Sequence, residues 1–431
     1  MTRELSALVT GSDEFIEREY DRSRTVHLWI SENIAPGEYL VRLWGSAFPE
    51  QGAGGYLGRI KMNSFEADAL IEDLRSEWKS LVLDHREVQE PDRTSVFPFS
   101  HQWDQSRRPE LLQGLAYKLV DIGFVTYRTL FRGEDKGLQR LRAALDRALR
   151  CGQQVISVES ESLIVPWGML YTPPDVRHDP PTEDHWSYEG FWGYRHLIEH
   201  TFSHVAGFDS RIAVPAAGLT VGLCADPRID IDFTRASFGV SKGVYVDLIS
   251  ELFRAHGATV VIRTRKSELE RAFHDAMLSD QIVFFCCHGL AAGPAGPTSK
   301  PYFELDHNER IRGRDVETWL ETGSLATRPF VFFGACNGGR LASTFYSTVG
   351  RALLRDGGAR CLIGPQLDLP PVLAVSYARL LFAEFLVSET KLGDIVWRLS
   401  CELINKYNNP LGLMFSLYRG IDIHLWRTNG Q

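Results

Sequence analysis

Apolar and polar residues alternate in two runs near the N-terminus, RTVHLWIS (24–31) and EYLVRLWG (38–45), on either side of Pro36-Gly37. A period of two puts one apolar set on one face of a strand, and Pro-Gly suits a tight turn, so the pattern predicts paired antiparallel strands. A third short strand, YLGRIKM, follows. From Ser64 to about Leu83 the period lengthens: Phe65, Ala69, Leu70, Leu74, Trp78 and Leu81 recur at helical spacing, predicting an amphipathic helix packed on those strands. Residues 85–109, rich in Pro, Asp, Arg and Gln, read as a linker.

Beyond the linker, helical patterns alternate with short runs that are apolar throughout. Helix-like stretches 110–131 and 137–150 precede QQVISVES; then come LTVGLC (219–224), ATVVIR (258–263), IVFFCC (282–287), FVFFGA (330–335) and RCLIG (360–364). Continuously apolar strands between helices are what a parallel sheet covered on both faces requires, so the expected class is α/β with a mostly parallel central sheet flanked by helices. Arg140, Arg142, Arg147 and Arg150 form the solvated face of a helix whose other face carries Leu138, Leu141, Leu145 and Leu149. Ser267 and Glu270 read as a capping box ahead of Leu269, Phe273, Ala276 and Met277, and Gly257 as the terminator of a Val244–His256 helix. Residues 171–210 and 291–300 read as long loops, and no internal repeat is visible.

Composition narrows the function classes. Lys+Arg 47 against Asp+Glu 55 gives a net charge of -8, which offers no overall footprint for nucleic acid. The seven cysteines, Cys151, Cys224, Cys286, Cys287, Cys336, Cys361 and Cys401, are odd in number and contain no CxxC, which suits neither a disulfide scaffold nor a zinc site and implies a reducing, cytoplasmic setting. The first residues lack a signal-peptide pattern, and no apolar run reaches the roughly 18 residues of a membrane-spanning helix. No GxGxxG follows the first strand and no GxxxxGK[ST] occurs, which speaks against a doubly wound nucleotide-binding protein.

Two strand ends carry candidate chemistry. IVFFCC runs into His288-Gly289, and FVFFGA runs into Cys336-Asn337-Gly338-Gly339 before a helix. In parallel α/β sheets the carboxyl ends of the strands form the ligand crevice, so adjacent strands would let the imidazole and thiol meet. A free thiol, with a pKa of about 8.5, is mostly protonated at neutral pH. A neighbouring histidine can deprotonate it and later protonate the leaving amine. The N–H groups of Gly289 and Cys336 could form an oxyanion hole. Cys286, Cys287, Cys361 and Cys401 read as small buried hydrophobes. Trp29 and Trp44 suit sheet packing or an aromatic binding face.

Strand-His-Gly, strand-Ala-Cys-x-Gly with Cys336 48 positions after His288, and the upstream Ile164-Val165-Pro166-Trp167-Gly168-Met169-Leu170 together resemble the CHAT family of caspase-like peptidases, relatives of caspases and separases. The likeness covers roughly residues 110–426, including a tail, NNPLGLMFSLYRG, that is similar to the family's last strand. It implies a caspase-hemoglobinase fold, with an N-terminal pseudo-half at about 110–210 and a catalytic half at about 211–431 of a unit spanning 110–431, preceded by a small α+β interaction or regulatory unit at 1–105. It also implies a His288–Cys336 dyad with no metal or organic cofactor, a protein substrate, and a role in bacterial defence or programmed cell death, such as activation of a gasdermin-like or other effector by a sensor or partner protein. The family's Trp-x-Val-x-Asp type segment is replaced here by Gly364-Pro365-Gln366-Leu367-Asp368-Leu369-Pro370-Pro371. Asp368 keeps one acidic position, while Pro371 stands at the other. Asp226, after LTVGLC, is a second acid at the same predicted edge, and either would favour a basic side chain at the cleavage site by charge pairing; both also suit turns or helix caps. Neither nucleic acid, directly, nor membrane is expected as a partner, and the competing expectation is a catalytically silent caspase-like adaptor.

Overall fold

The computed structural model describes residues 22–32, 37–89, 94–202, 209–229, 245–274, 278–290, 302–306, 309–322, 325, 327–334, 345–356 and 358–427. Alternation builds the first strands as the sequence predicts. In β1 (Val26–Glu32) Val26, Leu28 and Ile30 are buried, and β2 (Tyr39–Trp44) and β3 (Tyr56–Ile60) complete an antiparallel meander. Trp44 stacks on His27 with ring centroids 5.0 Å apart, and Arg42 lies over the Trp44 ring, so this aromatic pair packs within the sheet. Helix α1 (Ser64–Trp78) begins at a reciprocal cap: Asn63 accepts from the Glu66 N–H while Glu66 accepts from the Asn63 N–H. Its buried stripe is Ala67, Ile71, Leu74, Arg75 and Trp78, so the predicted face is rotated; Phe65 is 81% exposed and Ala69 faces solvent. The buried face takes in the apolar Ala67 and Ile71, which the predicted set left out, and the charged Arg75, which an apolar pattern could not include.

Where the sequence reads as a linker, the structure has a short hairpin, β4 (Glu87–Gln89) with β5 (Thr94–Val96), and a helical turn, Pro98–His101. The helices Pro109–Leu130 and Lys136–Arg150 follow, the second burying Leu138, Leu141, Leu145 and Leu149 as expected. Next come β6 (Val155–Ser160) and β7 (Leu197–Thr201), the latter inside the stretch read as irregular. β7 escapes sequence reading because its buried positions include Glu199 and His200.

The second half supplies β9 (Thr220–Ala225), β10 (Thr259–Arg263), β11 (Ile282–Cys286), β15 (Phe330–Phe333), β16 (Cys361–Pro365) and β17 (Phe415–Tyr418). One eleven-stranded sheet results, in the order β10-β9-β11-β15-β16-β17-β7-β6-β1-β2-β3. Pairing is parallel except between β16 and β17 and within the β1–β3 meander. The strands of the expected 1–105 unit therefore lengthen the same sheet, through β1 against β6. Two smaller sheets flank it: β8 (Arg211–Ala213) with β18 (His424–Trp426), and β12 (His288–Leu290), β13 (Tyr302–Leu305) and β14 (Glu309–Arg312). The helix at Lys266–His274 is capped otherwise than predicted, Glu268 rather than Glu270 accepting the Thr264 and Arg265 N–H groups.

Period two divides the core of the second half. Phe284 and Phe332 face the helices Tyr245–Ala255 and Pro371–Phe385, meeting Phe253 and Phe382, while Phe285 and Phe333 face the other way, meeting Phe303 and Phe345. Each pair stacks across the β11–β15 ladder, at 4.8 and 4.6 Å. Between the halves lies a buried charge cluster. Glu199 accepts the N–H groups of Gly420 and Ile421 at 2.8 and 3.1 Å and the Arg24 guanidinium at 2.8 Å, and Arg24 also binds Asp422. Burial pushes the Glu199 carboxyl up, but Arg24 and the two N–H donors outweigh it and hold the group below the ordinary range. Among the described residues no helix is long and apolar enough to cross a membrane.

Two histidines sit in the same seam. His196 accepts the Gln154 N–H at Nδ1, and His200 lies between the Trp167 indole and the Ser160 carbonyl. Burial, helped at His196 by Arg195, pushes their pKa values down to about 3 and about 4. Both are neutral in the folded chain, whereas unfolded imidazoles bind protons below about pH 6.5, so the unfolded state gains as pH falls. Stability should therefore drop between pH 7 and pH 5 by about 2 kcal/mol per histidine. Urea unfolding at the two pH values should show this loss, and His196→Asn, which keeps an acceptor but does not titrate, should shrink it; an unchanged slope would remove His196 as a source.

Candidate active site

β9, β11, β15 and β16 run in the same direction, so their carboxyl ends share one edge. From β9 the chain moves outward to β10 and then crosses back to β11, which makes the gap between β9 and β11 the topological switch point where crevices open in such sheets. Asp226 leaves β9 there and His288 follows β11. The Asp226 N–H continues the ladder by donating to the Cys286 carbonyl at 2.9 Å.

The β11–β15 ladder pairs Ile282 with Phe330 and Phe285 with Phe333, an offset of 48 residues that equals the spacing of His288 and Cys336. Gly334 extends it, its N–H donating to the Phe285 carbonyl at 2.8 Å. A Cβ at Gly334 would lie 2.9 Å from the Tyr245 hydroxyl and 3.0 Å from the Phe284 ring, so close packing requires a residue without a side chain just ahead of Ala335-Cys336. Cys336 itself, with Ala335, Asn337, Gly338 and Gly339, lies outside the described residues, as does the 291–300 loop. The backbone of His288 and Gly289 is described: β12 pairs antiparallel with β13, His288 opposite Glu304 and Gly289 opposite Phe303.

Asp226 and Glu304 are both buried, and one guanidinium links them. Arg228 donates from Nε and Nη2 to the two Asp226 oxygens at 2.9 and 2.7 Å, and its Nη2 stands 3.4 Å from Glu304 Oε2. Arg310 takes the other Glu304 oxygen at 3.2 Å and lies over the Tyr302 ring. Asp368 lies elsewhere on the edge, past β16, about three inter-strand steps or on the order of 14 Å from the β9 line. Its carboxylate binds Lys79 at 2.5 Å, in a cleft between α1 and Leu367. Beside it the buried Arg75 donates to Gln366 Oε1 at 2.7 Å and to the Ile164 carbonyl at 3.2 Å, and Gln366 donates in turn to the Tyr418 hydroxyl. The structure thus joins Asp226 to the turn at His288 but turns Asp368 toward α1.

Sequence reading missed Glu304, Arg228, Tyr245 and Arg75. Arg228 had a local signal, an Asp-Pro-Arg turn in which Asp226 accepts the Arg228 N–H at 3.0 Å. Glu304 and Arg75 had none, since long-range pairing alone brings them in. Cys286, Cys287 and Cys361 are buried as expected, while Cys401 is only partly so. Burial pushes the Cys401 and Cys224 thiols up to about 11 and about 12, which leaves them inert. Among the described residues no group of three or more His, Cys, Asp or Glu gathers as a metal site.

No family model matches the chain. A protein of Vitiosangium sp. (strain GDMCC 1.1324) named "Probable protease" is 24% identical over 251 residues, 55% of this chain and 30% of that protein, so the chain spans less than a third of that relative's length. Among solved structures, the fold is similar to a chain of the Saccharomyces cerevisiae separase–securin complex, with TM-score 0.43 and 10% identity over 93% of this chain and 30% of that one. A secreted C11 cysteine protease from Bacteroides thetaiotaomicron, held with an irreversible peptide inhibitor, gives TM-score 0.22 and 10% identity over 47% of this chain and 56% of that one. Overlays at these scores assign no residue equivalences.

The packing at Gly334 yields a direct expectation. Gly334→Ala should cost about 1–3 kcal/mol in urea unfolding, because the added methyl must displace Phe284 or Tyr245 in a filled core. A variant as stable as the parent would show that this strand end has room to spare.

Proposed function

We propose that the chain is a cysteine endopeptidase in which Cys336 attacks the scissile carbonyl and His288 takes and returns the proton, with the backbone N–H groups of Gly289 and Cys336 receiving the oxyanion. The observation that carries this reading is the β11–β15 register. Parallel neighbours lie about 4.8 Å apart, so residues at equal height past two such strand ends leave side by side. The switch-point position of the β11 end and the buried acid Asp226 beside it suit a peptide with a basic side chain at the cleaved bond. The protease name of the Vitiosangium relative supports the peptidase part of the reading. The motif resemblance to the CHAT family adds the proposed setting, cleavage of a protein effector, gasdermin-like or other, in bacterial defence or programmed cell death, with residues 1–105 receiving the activating partner.

A silent adaptor is the second reading, and one observation favours it: both acids at the edge, Asp226 and Asp368, already hold cations of the chain itself.

Alkylation by limiting iodoacetamide at neutral pH, mapped by mass spectrometry, separates the two. Cys336 should react ahead of the other cysteines, and His288→Ala should slow it by about 10²-fold or more, the scale of a lost general base. Cys336→Ala should abolish cleavage of the partner protein while leaving the urea midpoint in place. Uniform labelling that ignores His288 would move the adaptor ahead.

A further inference from the structure

At the switch point one guanidinium, that of Arg228, stands over two buried carboxylates. Asp226 is fully buried, and a carboxylate withdrawn from water needs a cation held against it. Arg228 supplies one with both faces of its fork, the planar two-point match that distinguishes arginine from lysine. The side chain of Arg228 is 38% exposed, so it lies at the mouth while the carboxylate lies at the floor. Glu304 forms a second wall on the strand position opposite His288, which ties this pocket to the catalytic turn.

A local explanation accounts for part of this. Asp175–Arg177 and Asp209–Arg211 repeat the same turn, with the arginine N–H and guanidinium returning to the aspartate two residues earlier. Their aspartates are 35% and 47% exposed, however, where Asp226 is at 0%. The turn preference explains why Arg228 reaches back. It explains neither the burial of Asp226 at the switch point nor the second acid from β13.

We infer that Arg228 is a built-in occupant of the pocket that receives the basic side chain of the substrate, seated on Asp226 and Glu304 and displaced into solvent when an arginine of a protein substrate enters. The inference rests on the peptidase reading for what the pocket serves. Arg228 and Asp226 are two residues apart, so the guanidinium leaves by side-chain rotation with the strands in place. Arg310 holds Glu304 Oε1, which leaves Oε2 facing the occupant. The chain thereby carries its own competitor: small arginine-containing probes meet a filled site, whereas a protein substrate with further contacts can displace it.

Calorimetric titration of the full-length chain with Nα-acetyl-arginine amide, with Nα-acetyl-norleucine amide as control, tests the assignment. Arg228→Ala should bind the arginine probe at least about tenfold more tightly than the parent, because the fraction of molecules with an open pocket rises. The norleucine probe should bind neither, and Arg228→Ala combined with Glu304→Gln should lose the gain. Thermal unfolding of Arg228→Ala should begin lower than the parent and recover with the arginine probe; if that variant does not fold, Arg228→Gln takes its place with the same outcomes. Equal affinity in parent and variant would overturn the inference. An arginyl reporter peptide keeps this result apart from the peptidase reading. Probe binding gained in Arg228→Ala with no Cys336-dependent cleavage by any variant would retain the pocket and refute the peptidase, whereas Cys336-dependent cleavage indifferent to Arg228 would do the reverse.

Discussion

The site depends on one constraint, the register of β11 against β15. Two stacked phenylalanine pairs hold it, Phe284 with Phe332 on one face of the sheet and Phe285 with Phe333 on the other. A slip of either strand by one residue would send its rings to the opposite faces, into space already filled by Phe253 and Phe382 on one side and Phe303 and Phe345 on the other. Packing on both faces therefore fixes the height at which His288 leaves its strand. Gly334 performs the same service for β15, since the Tyr245 hydroxyl and the Phe284 ring occupy the space that a side chain there would need.

Buried charge ties the N-terminal elements to the rest of the sheet. Arg24, at the head of β1, reaches Glu199 and Asp422, and so joins the meander, β7 and the segment after β17 through one buried network. Breaking such a network by removing one member strands a buried charge, which makes the seam a place where the halves are coupled. Arg75 and Lys79 do the same for the β16 end, through Gln366 and Asp368. The acid that the family resemblance offered for substrate contact is thus held by Lys79, just past α1, and the acid offered by strand-end placement, Asp226, is the one beside the His288 turn. A fold of this kind hosts many functions, and the functional reading stands on the β11–β15 register and the side chains at its end rather than on the class of sheet.

Much of the architecture was visible in the pattern of residues. Continuous apolar runs gave β9, β11, β15 and β16, and helical spacing gave Lys136–Arg150 with its leucine stripe, because burial on both faces or on one stripe leaves a local imprint. They gave β10 as well, although it is an edge strand with Val261 and Ile262 exposed, and they did not give β12, β13 and β14. Two of the misses share a cause. β7 hides behind Glu199 and His200, and α1 buries Arg75 within its stripe. In both, a polar residue sits where apolar periodicity expects none, since partners distant in sequence satisfy it. The cap ahead of Lys266 is instead local, Glu268 accepting the N–H groups of Thr264 and Arg265, four and three residues earlier.

By itself the chain's sequence determined the class of fold, the strand ends that carry His288 and Cys336, and the offset of 48 that the ladder later repeats. These follow from short-range rules: periodicity, turn residues and the side of the sheet to which a strand end must point. Tertiary structure decided which acid accompanies the His288 turn, that Glu304 stands opposite it, that Arg228 fills the gap between them, and that β1–β3 extend the main sheet. Apart from the local turn that brings Arg228 back to Asp226, those outcomes depend on pairings between segments tens to hundreds of residues apart, whose energies come from burial and charge neutralisation in the assembled core, and no local pattern encodes them.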